Sequence, residues 1–66
     1  MSFDMALAKY AAYYRDRGFG TELDYISDKH SKATGEGGYL LRDVNNRHIA
    51  YVTKDGKVQA LSLIHI

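Results

Sequence analysis

Apolar side chains keep two different rhythms along this chain. Phe3, Leu7, Tyr10 and Tyr14 recur at spacings of four, three and four, which lines them on one face of a helix. Ala6 and Ala11 flank that stripe, Tyr13 sits at its edge, and the alanines at 6, 8, 11 and 12 raise helix propensity. Ser2 is placed to cap the start and Asp4 to meet the dipole. Arg15 and Arg17 fall in the last turn, and Gly18 is placed to stop it. The pattern predicts a helix over residues 3–17.

A second stretch keeps a looser helical period. Leu23, Ile26, His30 and Ala33 follow at three, four and three, after Thr21-Glu22-Leu23-Asp24, which reads as a variant capping box. A short second helix is predicted near residues 22–33, ended by Gly35-Glu36-Gly37-Gly38, which reads as a linker. Beyond that point the period changes to two. Tyr39–Val44, His48–Thr53 and Lys57–Ala60 read as three strands, with Asn45-Asn46 and Asp55-Gly56 as the turns between them. The expected fold class is therefore α+β: one long N-terminal helix and a short second helix packed on a three-stranded antiparallel β-meander.

Two-residue loops would pair Val44 with Arg47 and Lys54 with Lys57. One sheet face would then carry Leu40, Arg42, Ile49, Tyr51 and Val58, and the other Tyr39, Leu41, Asp43, Ala50 and Val52. The first face has the bulkier centre, so the helices are expected against it. The second would leave Tyr39, Leu41, Ala50 and Val52 open to solvent, a patch that implies a partner.

Composition narrows the function classes. Sixty-six residues make one small domain, and nine Lys/Arg against eight Asp/Glu leave a net charge of +1. No long apolar run suggests a membrane span and no leader suggests export, so a cytoplasmic chain is expected. Absent cysteine excludes disulfides and thiolate chemistry. The last six residues, Leu61-Ser62-Leu63-Ile64-His65-Ile66, resemble residue for residue the translated transposase mosaic-end adapter of shotgun libraries. Residues 1–60 are accordingly expected to be the natural part, the N-terminal piece of a longer metagenomic reading frame, and 61–66 adapter read-through.

No recognisable catalytic spacing occurs. Asp24, Asp28, His30 and His48 show no metal-ligand pattern, and the serines form no nucleophile elbow. The Gly35–Gly38 run follows a predicted helix and precedes a strand, the reverse of a phosphate cradle. No cofactor, metal or catalytic residue is assigned. The leading expectation is a protein-interaction module, or the N-terminal part of one, docking a partner or a second copy through Tyr13, Tyr39, Leu41, Ala50 and Val52. The alternative is a nucleic-acid-binding module using the basic hairpins through Arg42, Arg47, Lys54 and Lys57. A third is a fragment of an enzyme whose chemistry lies beyond residue 60.

Overall fold

The computed structural model describes residues 1–18 and 23–61. Helix α1 spans Phe3–Asp16, and strands β1 (Ile26–Ala33), β2 (Tyr39–Asp43), β3 (His48–Val52) and β4 (Val58–Ala60) follow in order. They form one antiparallel sheet in the order β1-β2-β3-β4, and α1 touches all four strands from one side. The class is α+β, with one helix and four strands among the described residues.

The helix forms as its sequence predicts. The Ser2 hydroxyl accepts the Met5 N–H at 3.2 Å, and Gly18 takes a left-handed φ of 81° just past the end. Ala6 and Tyr10 are buried, with Phe3, Leu7 and Tyr14 packed around them. Thr21, in the predicted capping box, and the adapter-like residues 62–66 lie outside the described residues.

The predicted second helix is a strand. Ser27 pairs with Arg42 and Lys32 with Leu40, so five steps along β1 are matched by only two along β2. The extra residues loop out at Asp28–Ser31, where the Ser31 hydroxyl donates to the Ser27 carbonyl at 2.6 Å and accepts the Arg42 N–H at 2.9 Å. This bulge buries Ile26 and Ser31, five residues apart, and leaves Asp28, Lys29, Lys32 and Ala33 exposed, so the segment lacks the two-residue alternation by which a strand is recognised.

All three connections between strands use one design. In each, three residues form the loop, and the third takes a left-handed φ: Gly37 (87°), Asn46 (65°) and Gly56 (86°). The residue before each loop caps it. Thr34 Oγ1 accepts the Gly38 N–H at 3.1 Å, Asp43 Oδ1 the Arg47 N–H at 2.9 Å, and Thr53 Oγ1 the Lys57 N–H at 3.1 Å. Gly35–Gly38 thus belongs to a hairpin rather than to a linker.

The β2–β3 and β3–β4 loops are one residue longer than the two-residue turns predicted, and the faces exchange roles as a result. Val58 now pairs with Val52 instead of joining Tyr51. In β3 an extra residue between the Leu41–Ala50 and Arg42–His48 pairs turns Ile49 inward beside Ala50. With Ile49 and Val58 added, the Tyr39/Leu41/Ala50/Val52 face becomes the bulkier one, and α1 covers it. Leu41, Ala50 and Val52 are completely buried. Their expected role as an exposed partner surface is corrected: they are the core.

Tyr10 anchors the helix to that core, its hydroxyl 2.9 Å from the Tyr25 hydroxyl. Burial, and then this hydrogen bond, push the Tyr10 phenol well above its ordinary value of 10.0. The folded chain keeps that proton where the unfolded chain loses it. Stability is therefore intact below about pH 10 and falls as pH rises further. Tyr10→Phe is expected to cost about 1 kcal/mol at neutral pH through the lost bond, and to flatten the alkaline decline. Urea melts at neutral pH and near pH 11 measure both effects, and an unaltered alkaline slope would remove Tyr10 as the cause.

Candidate functional site

One face of the sheet carries α1; among the described residues no element covers the other. Cross-strand pairing places Lys32, Leu40, Tyr51 and Gln59 in a row that crosses all four strands of that open face. A second row beside it holds Ser27, Arg42 and His48. Neither row contains a carboxylate. Lys32, His48 and Gln59 are exposed, whereas Leu40, Arg42 and Tyr51 are half-buried.

Tyr51 reaches across β2 toward the β1–β2 hairpin. Its hydroxyl lies 3.1 Å from Thr34 Oγ1, and a Cβ built on Gly38 would stand only 2.7 Å from Tyr51 Cζ. Glycine at 38 is thus what allows the ring to lie across β2. The phenol tip is seated over Gly38, and the half-buried ring keeps part of its surface on the open face.

Arg42 shares the open face but lies toward the other end of β2, two residues past Leu40, whereas the Tyr51 ring leans to Gly38, two residues before it. Its Nη1 donates to Asn46 Oδ1 at 3.0 Å, which fixes the guanidinium, while its buried Nε has no acceptor among the described residues. Next to it, Ser27 Oγ lies 2.8 Å from His30 Nδ1. Ser27 also takes the His30 N–H at 3.4 Å, and Ser31 ties back to the Ser27 carbonyl, so these groups serve to close the β1 bulge. Among the described residues no three His, Asp or Glu side chains gather around a point that a metal ion would occupy. Asp24 lies in a turn, Asp28 is exposed, and His48 belongs to the open face.

The residues singled out from the sequence are scattered by the fold. Of Arg42, Arg47, Lys54 and Lys57, Arg42 alone reaches the open-face rows. Arg47 closes the β2–β3 hairpin, and Lys54 lies in the β3–β4 loop next to Gly37. Lys57 follows Gly56 at the end of that loop and lines a groove between α1 and β4. Tyr13 faces the same groove; its ring stands edge-on to Tyr14 and carries the Arg17 guanidinium 3.7 Å above its centre. Tyr39 sits under the helix, edge-on to Phe3. Lys32, Gly38 and Gln59 are not legible as site residues in the sequence, because the helical period claims Lys32 and two-residue loops put Gln59 on the opposite face.

No helix among the described residues is long and apolar enough to cross a membrane. Comparison of the chain with protein-family models, with curated proteins and with solved structures yielded no match.

Proposed function

We propose that this chain is a small binding module whose open sheet face takes single-stranded nucleic acid. One observation carries this: Tyr51, its hydroxyl end set over Gly38, shares with Lys32 and Arg42 two neighbouring rows of the open face that hold no carboxylate. A base stacks on an exposed tyrosine face whatever its identity, and the flanking cations meet phosphates. Leu40, next to Tyr51 across the strands, extends the apolar floor. A flat sheet face with a single ring suits an unpaired strand better than a duplex groove, which calls for an element that projects into it.

Anisotropy of a fluorescein-labelled oligothymidylate, followed through a salt series, tests the proposal. Affinity is expected to fall steeply as salt rises, and Arg42→Ala to lower the slope of log K against log salt by about one. Tyr51→Leu keeps an apolar side chain on Gly38 but removes the ring. It is expected to weaken binding about tenfold, with circular dichroism unchanged, because stacking contributes roughly 1–3 kcal/mol per base. Absence of binding at low salt, or binding indifferent to Tyr51→Leu, would overturn the assignment.

The protein-interaction expectation loses its original surface, since Leu41, Ala50 and Val52 are buried. A different feature of the fold favours a protein partner, as follows.

A further inference from the structure

The two edges of the sheet are built differently. The β1 edge is interrupted by the Asp28–Ser31 bulge and carries exposed Lys29 and Lys32, devices that discourage another strand from pairing there. The β4 edge, Val58-Gln59-Ala60, has neither a bulge nor a charge. Its hydrogen-bonding phase is set by two contacts with β3. Thr53 N–H donates to the Lys57 carbonyl at 2.8 Å, and Leu61 N–H to the Ile49 carbonyl at 2.9 Å. Residues 57, 59 and 61 therefore face β3, and Val58 and Ala60 turn their N–H and C=O groups outward.

Beside this edge runs a groove of about 450 Å³ between α1 and the β3–β4 hairpin, floored by Ala12, Tyr13 and Val58. Among the described residues, Arg17 and Lys57 line it against one acid, Asp16, and Lys9 lies close to Gly56 at its margin. We propose that β4 accepts an extended acidic peptide segment of a partner protein as a fifth strand. The segment pairs with the outward groups of Val58 and Ala60. On its helix-facing side it sets an apolar side chain on Ala12, Tyr13 and Val58 and a carboxylate at Arg17. The charge balance selects an acidic segment over a second copy of this chain, because a copy docking edge to edge brings the same cations with it.

The probe is a labelled peptide alternating valine and glutamate, compared with one alternating valine and lysine. The glutamate peptide alone is expected to bind, and Arg17→Glu to reverse the preference. Ala60→Pro removes an outward N–H that no described strand uses, and is expected to weaken uptake by about tenfold or more. Should that variant melt, the wild-type protein with a peptide N-methylated at alternate amides gives the same reading, binding being lost when the peptide's donors are blocked. Equal binding of both peptides, no binding of either, or full binding by the N-methylated peptide overturns the proposal. So does a dimer, seen by sedimentation, that Ala60→Pro dissolves without peptide uptake. Tyr51→Leu is expected to leave peptide uptake unchanged, which keeps this site separate from the nucleic-acid face.

Discussion

Leu41→Glu is expected to abolish folding, while Leu40→Glu, one residue earlier, leaves the fold in place. The two leucines alternate across β2. Leu41 is completely buried against Ala6, Tyr10 and Ile49 in the core cluster, whereas Leu40 lies half-buried on the open face. Even Leu41→Ala should cost about 2–5 kcal/mol for the lost transfer energy and the cavity. A domain of this size has roughly 3–10 kcal/mol in all, so that alone removes most of its stability. A carboxylate at 41 adds the cost of an unpaired buried charge. Circular dichroism with amide proton spectra decides it: a dispersed spectrum for Leu41→Glu and a collapsed one for Leu40→Glu would mean that α1 packs on the opposite face. Leu40→Glu also puts a negative charge between Lys32 and Tyr51, and should reduce oligothymidylate binding without unfolding the chain.

Gly38→Ala carries the second large effect. The added methyl would lie 2.6 Å from the Val52 carbonyl oxygen and 2.7 Å from Tyr51 Cζ. The ring can swing aside; the β3 backbone cannot easily do so. Overpacking of this kind costs about 1–3 kcal/mol. At roughly 4–8 °C per kcal/mol for a small domain, Tm should fall by about 5–20 °C. The displaced ring also loses its Thr34 partner and its seat, so nucleic-acid affinity should fall alongside stability. Combining Gly38→Ala with Tyr51→Leu separates the two parts. The penalty of the double variant should be less than the sum, by the share that the ring clash contributes, and strict additivity would show that Tyr51 does not rest on Gly38.

Much of this architecture was legible in the residues themselves. The stripe from Phe3 to Tyr14, the Ser2 cap and the Gly18 stop define α1, and alternation placed β2, β3 and the β3–β4 turn. Pairing of Tyr39, Leu40 and Leu41 with Val52, Tyr51 and Ala50 matches the register expected from sequence. Errors arose where one residue was inserted. The β1 bulge breaks the two-residue alternation of a strand, and the β2–β3 and β3–β4 loops hold three residues where the turn signals predict two. Inside a sheet, such a slip exchanges faces, and here it moved Ile49 and Val58 from one side to the other. A signal for the longer loops does exist: Thr34, Asp43 and Thr53 each stand three residues before a Gly or Asn and can cap the loop from its first corner. Of the candidate site, Arg42 and Tyr51 were visible as a basic and an aromatic residue on one face. The role of Gly38 was not, because it depends on a ring approaching from a neighbouring strand.

The recurrence of one turn between every pair of strands bears on how the chain reaches this shape. Each strand pairs with the next in sequence, and every loop is closed by a capping oxygen and a left-handed residue of its own. Contacts in the meander are thus local, and the entropy lost in closing each loop is small. Hairpins of this kind form in about 1–10 μs, long before distant segments need to meet. Only α1 must find its strands from far along the chain. Its docking through Ala6 and Tyr10 gives the sheet its one dry side, and substitutions there are expected to slow folding more than substitutions in any single turn.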